Sequence, residues 1–139
     1  MFKVSLLYLY DLSTISAIFM AAVPLDKEMA LALVQVFQQW KIRQAYDLCL
    51  TESCVVATSS LEIDILPGSS GSLISGYEAK LLTHNGIEIT SLDTPGELYL
   101  CSPSITSLGY FRNNQASKKT FPEGGWLRTE DEAMFRLSE

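Results

Sequence analysis

At 139 residues the chain is long enough for one domain with a real core. Its formal charge of -6, from 10 basic and 16 acidic residues, leaves no basic stripe to track phosphates, so nucleic acid is excluded as an expected partner. With 47% hydrophobic and 19% charged residues, the composition is that of a globular protein and excludes a disordered or fibrous class.

Three scattered cysteines, Cys49, Cys54 and Cys101, form no Cys-x-x-Cys pair and have only His84 for company. Free thiols in a reducing compartment are therefore expected rather than a zinc site. Lys3 followed by an apolar run has the outline of a short signal sequence, but Asp11, Ser13 and Thr14 interrupt it. No stretch approaches the ~20 apolar residues of a membrane span, and two buried segments around a polar turn account for the same residues.

Residues 15–23 are apolar on both faces and stop at Pro24, the pattern of a buried parallel strand. From Leu25 the period changes. Leu25, Met29, Leu33, Val36, Phe37 and Trp40 recur at three- and four-residue spacing on one helical face. Asp26 and Glu28 lie in the first turn, where acidic charge suits the helix dipole. Residues 41–46 alternate and predict a second strand, so this stretch reads as a β-α-β unit with parallel strands.

Beyond about residue 60, Gly68, Gly71, Gly76, Gly86 and Gly96, with Pro67 and Pro95, punctuate short runs at 77–83, 87–90 and 97–101. Asn85-Gly86 between two such runs predicts a hairpin. His84 falls at its exposed tip, and residues 113–121 predict one short helix. The expected fold class is thus mixed α/β, a β-α-β piece followed by an antiparallel, β-rich and barrel-like subdomain. The composition shift at residues 59–68 divides it into 1–59 and 60–139.

In chain order, these segments resemble blocks of the adenylate-forming superfamily, in particular coumarate–CoA ligase and related acyl-CoA synthetases. YDLSTISAIFMAAVPLDKEM (residues 10–29) is similar to the stretch in which a Gly-Ala-Ala-Pro-Leu turn follows a buried strand and opens a helix. LTES (50–53) resembles the end of the Tyr-Gly-x-Thr-Glu motif. GSSGSLISGYEAKLL (68–82) and PGELYLCSPSITSLGYFRN (95–113) resemble the next two blocks, and GGWLRTEDEA (124–133) resembles Gly-Trp-x-x-Thr-Gly-Asp.

The resemblance implies two-step chemistry: a carboxylate attacks the α-phosphate of ATP to give an acyl-adenylate, and coenzyme A then takes the acyl group. It implies that Thr51 contacts the AMP phosphate, Glu52 holds Mg²⁺ and Asp131 holds the ribose. These types suit those tasks, since a hydroxyl bonds a phosphate oxygen and a carboxylate takes a hard cation or two sugar hydroxyls. Ala22, in the small-residue stretch, and Tyr46 are implied on the adenine side. Two departures stand out. Glu130 occupies the glycine position of the last motif, adding bulk and charge beside Asp131. Around Tyr46, either two residues are inserted before Leu50, or Leu48 and Cys49 stand in for the Tyr-Gly pair and the stacking ring is lost. Trp126 and Tyr110 read as packing residues, and Gly96, Gly109 and Gly125 as turn positions.

The family's phosphate loop, ending in Pro-Lys-Gly, has no counterpart here, and neither do its hinge arginine and C-terminal catalytic lysine. The expectation is a truncated acyl-CoA ligase, inactive alone, that binds ATP or AMP weakly if at all, with no assigned catalytic residue. It would be cytoplasmic, there being no peroxisomal signal at the C-terminus, and prone to self-association through apolar faces near 19–23 and the first ten residues. The alternatives are a non-catalytic binding or interaction module built on the same fold, or an enzyme completed by a second chain.

Overall fold

The computed structural model describes residues 10–14, 16–20, 28, 41–46, 51–53, 56–59, 69–105 and 109–137. The elements along them are β1 (Ala17–Met20), β2 (Lys41–Tyr46), β3 (Thr58–Ser59), β4 (Ser72–Leu73), β5 (Glu78–Leu82), β6 (Glu88–Ile89), β7 (Gly96–Cys101), the helix α1 (Asn114–Thr120) and β8 (Trp126–Ala133). Among the described residues no helix is long and apolar enough to cross a membrane.

The strands form two four-stranded sheets, ordered β1-β2-β3-β4 and β6-β5-β7-β8. β1 and β2 pair in parallel, Ala17 opposite Lys41 and Met20 opposite Gln44, as a β-α-β unit requires. Of the helix expected between them, Glu28 is helical and the rest lies outside the described residues, as do the first nine residues and 21–23. β3 and β4 extend this sheet antiparallel through two-residue ladders that no run in the sequence announces. The expected boundary at 59–68 falls, from residue 60 onward, outside the described residues.

The second sheet is antiparallel throughout. Among the described residues it does not close into a barrel: β6 and β8 are its edges, and small barrels close on about eight strands. The β5–β6 connection turns where expected. Gly86 donates its N–H to Thr83 O at 2.8 Å, Thr83 donates to Ile87 O at 2.8 Å, and His84 is exposed at the tip.

β7 is the central strand of this sheet. Burial alternates residue by residue along Gly-Glu-Leu-Tyr-Leu-Cys, because one face meets the core and the other is half covered. Leu98 and Leu100 pair across the sheet with Leu81 and Ala79 of β5, and Leu100 also pairs with Leu127 of β8. Leu81, Leu98 and Leu100 join Ala57 in one buried cluster, with Tyr77, Ile89, Ile105 and Phe135 against it. Ala57 belongs to the loop entering β3, so this core also fastens the segment after residue 51 to the second sheet. On the opposite face Lys80 lies with its ammonium 3.9 Å from the centre of the Trp126 ring, a cation–π contact.

Gly96, expected at a turn, begins β7 instead and is buried. A Cβ there would lie 2.5 Å from Ile89 Cδ1 and 3.0 Å from the Leu82 carbonyl, so the close approach of β5 and β6 demands glycine. Gly96→Ala is expected to lower stability by about 1–3 kcal/mol, the usual cost of overpacking. Urea unfolding checks this as a lower midpoint at unchanged slope; an unchanged midpoint would show that the hairpin yields freely.

Candidate functional site

Thr51, Glu52 and Ser53 form a turn whose exposure falls along the chain: Thr51 is exposed, Glu52 half-buried, and Ser53 only 1% exposed. Two phenols hold this turn from the other half of the molecule. Tyr77, just before β5, donates its hydroxyl to Ser53 O at 3.0 Å. Tyr110 donates its hydroxyl to Glu52 Oε1 across 58 residues of sequence. Tyr110, expected to be a packing residue, is a hydrogen-bond donor as well: the residue is 41% exposed, and its ring touches Phe121 at 6.1 Å between centroids.

The segment that presents Tyr110 is built for the purpose by local bonds. Ser117 Oγ accepts the Tyr110 N–H at 2.7 Å and donates to Asn113 O at 2.8 Å. Asn113 caps α1 by accepting the Ala116 N–H on Oδ1 at 3.0 Å. Gly109 adopts φ 75, and a Cβ there would lie 2.6 Å from Ser117 Oγ. Lys118 and Lys119 in the last turn suit the helix dipole.

Asp131 stands at a second edge. β8 pairs regularly with β7 until Arg128 faces Tyr99, and pairing resumes with Glu132 facing Glu97. Between those pairs residues 129–131 oppose Leu98 alone, a bulge that turns this part of the strand outward. The buried Thr129 fixes it, donating Oγ1–H to Leu98 O at 2.9 Å and accepting the Asp131 N–H at 3.1 Å. Glu130 takes φ 63, a left-handed conformation costly for any residue with a Cβ. The glycine expected from the motif would adopt it freely. The exposed Glu130 carboxylate pairs with the Lys119 ammonium of α1, which lowers its pKa below the usual carboxylate value.

Asp131 lines an open groove of about 480 Å³ shared with His84, Pro95, Glu97, Arg128 and Glu130. On its wall Arg128 makes a bidentate pair with Glu97, Nε to Oε1 at 2.6 Å and Nη2 to Oε2 at 3.0 Å. That hydrogen-bonded pairing raises the guanidinium pKa further above its already basic value.

The turn and the bulge are connected through one element. The chain entering α1 carries Tyr110 to Glu52, and the last turn of α1 carries Lys119 to Glu130, next to Asp131. Tyr46 ends β2, opposite Thr58, on the strand that leads toward the 51–53 turn. Ala22 lies outside the described residues. A divalent cation fits the chemistry of the first edge, since Mg²⁺ is commonly held by one or two carboxylates together with substrate phosphates and waters. Glu52 supplies one such carboxylate, with the Thr51 hydroxyl beside it in sequence. Two features escaped the sequence reading, the Tyr110–Glu52 bond and the Lys119–Glu130 pair. The only signs were a tyrosine before an Asn cap and an acid at a glycine position, neither specific.

The hydrogen bond to Glu52, with some desolvation, raises the Tyr110 phenol above its ordinary value of 10.0. With the folded value above the unfolded one, its contribution to stability is complete below about pH 10 and is lost as pH rises through the folded value. Ultraviolet titration should find a late-titrating tyrosine that returns to the ordinary range in Glu52→Ala. Identical curves for the two proteins would contradict the bond.

Comparison with known proteins bears on what these edges are. No protein-family model matches the chain. Acyl-CoA ligase easD of Emericella nidulans is 42% identical over 133 residues, covering 96% of this chain and 23% of that protein. Acyl-CoA ligase lcsD of Purpureocillium lilacinum is 38% identical over 130 residues, covering 94% of this chain and 33% of that protein. Among solved structures, the anthranilate CoA ligase AuaEII, in complex with anthranoyl-AMP, superposes with a TM-score of 0.82 at 29% identity, over 93% of this chain and 24% of its own. The chain thus spans between 23% and 33% of the length of these relatives. By sequence and by fold it belongs to the adenylate-forming acyl-CoA ligase family, matching one stretch of these longer members.

Proposed function

We propose that this stretch forms part of the nucleotide pocket of an ATP-dependent acyl-CoA ligase. In that reaction a carboxylate and ATP give an acyl-adenylate and pyrophosphate, and the thiol of coenzyme A then displaces AMP. Asp131 receives the ribose hydroxyls at the mouth of the groove, and Thr51 bonds the α-phosphate with its hydroxyl. Glu52 would hold Mg²⁺, which would supply charge neutralisation for the phosphate chemistry. Ala22 and Tyr46 border the adenine. Positioning and charge neutralisation are the main demands of such a phosphate-centred step, and the two edges are suited to both.

The observation that carries this reading is the linkage of the Thr51-Glu52 turn and the Asp131 bulge through one short helix, in a chain 42% identical to an acyl-CoA ligase. The anthranoyl-AMP bound to AuaEII supports an adenylate as the ligand class. The phosphate loop and catalytic lysine implied by the family have no match in these 139 residues, so we infer that turnover needs them from elsewhere. The protein acts in the cytoplasm on this reading.

Calorimetric titration of the 139-residue chain with ATP and Mg²⁺ tests the pocket. Affinity tighter than about millimolar is expected, about −4 kcal/mol at the 1 M standard state. Asp131→Ala should weaken it roughly tenfold, the scale of one hydrogen bond to a charged group. Absence of binding, or binding indifferent to Asp131, would sink the proposal. A pyrophosphate-release assay with a panel of carboxylic acids should give no signal from the chain alone. Any turnover would refute the inference that groups outside it are required.

A further inference from the structure

The bond between Tyr110 and Glu52 has no counterpart in the roles assigned above, yet its construction is elaborate. The phenol reaches from residue 110 back to residue 52, and its backbone is fixed on three sides. Gly109 lets the chain pass within 2.6 Å of Ser117 Oγ, measured from the Cβ it lacks. Ser117 takes the Tyr110 N–H, while the Asn113 N–H returns to Tyr110 O at 3.1 Å. The ring leans on Phe121 at an interplanar angle of 50°. An exposed tyrosine that served only solubility would need none of this.

Glu52 has the converse problem. It sits in a three-residue turn, where a carboxylate on a flexible stem would sample many rotamers. Binding a cation would then cost side-chain entropy as well as dehydration. A carboxylate has about four lone-pair sites, so one hydrogen bond from a phenol still leaves room for a cation on the same group. A neutral donor also holds the anion without neutralising it. An arginine or lysine in that place would compete with the metal for its charge.

We propose that Tyr110 is a positioning residue for Glu52, fixing the carboxylate so that it meets a divalent cation and the nucleotide phosphate in one orientation. The inference rests on the nucleotide reading above and assigns Tyr110 no contact with the reacting atoms. Gly109, Asn113 and Ser117 form the bracket that aims it.

The test compares ATP binding by calorimetry with Mg²⁺ and with EDTA. Tyr110→Phe keeps the ring and its contact with Phe121. It should weaken binding roughly fivefold with Mg²⁺, the size of one net hydrogen bond, and leave binding in EDTA unchanged. Gly109→Ala, which retains the phenol but disturbs its bracket, should give the same split. In a Glu52→Gln background, Tyr110→Phe should change nothing further. Equal losses with and without Mg²⁺ would reduce Tyr110 to a structural role and overturn the proposal, as would an unchanged affinity in both conditions. Wild-type protein that binds no ATP would overturn the nucleotide reading and this inference together. Wild-type binding with no loss in Tyr110→Phe would overturn this inference alone.

Discussion

β7 is hydrogen-bonded on both sides, and that constraint governs the second half of the molecule. Both neighbours are antiparallel, so each residue of the strand is committed to one face. Leu98 and Leu100 enter the core, while Glu97 and Tyr99 face the other way toward Arg128 and Lys80. A register slip of one residue would put two leucines on the outer face and a glutamate and a tyrosine into the core. The same strand receives the Thr129 hydroxyl on the Leu98 carbonyl. The bulge that turns Asp131 outward thus depends on where β7 lies.

The bulge also gathers the unfavourable elements of the structure in one place. Three residues oppose one, a glutamate adopts φ 63, and acidic side chains stand side by side at 130, 131 and 132. The Thr129 bonds and the Lys119 pair offset these costs locally. Strained backbone of this sort persists where surrounding structure over-determines it, and such positions cluster at binding sites. Replacement of glycine by glutamate therefore does not abolish the turn. It shifts the demand from backbone freedom onto an ionic contact with α1.

Much of this was legible in the sequence wherever a local pattern ran uninterrupted or a cap marked an element's start. β2 falls at 41–46 because alternation there is uninterrupted, and α1 falls within 113–121 because an Asn cap opens it. The parallel pairing of β1 and β2 followed from the apolar run and the helical spacing between them. β3 and β4 were not legible: ladders of two residues are imposed by tertiary neighbours, not by local pattern. The antiparallel, β-rich second half was legible too, but turn spacing counts strands and does not say whether edges meet, and among the described residues no barrel closes. At the candidate site, the types and order of Thr51, Glu52 and Asp131 could be read from the motifs. Tyr110 could not, because its role is set by a partner 58 residues away.

The short segment that enters and forms α1 is fastened to the 51–53 turn and to the β8 bulge by bonds of different character. Toward Glu52 the donor is a neutral phenol; toward Glu130 it is a solvent-exposed ammonium, with side-chain exposures of 59% and 57% for the pair. At physiological ionic strength the Debye length is about 8 Å, and exposed ion pairs weaken further as salt rises. Ionic strength therefore acts on one attachment far more than on the other. In concentrated salt the helix stays moored to the 51–53 turn while its hold on the bulge slackens, so the medium itself tunes how firmly the backbone beside Asp131 is braced.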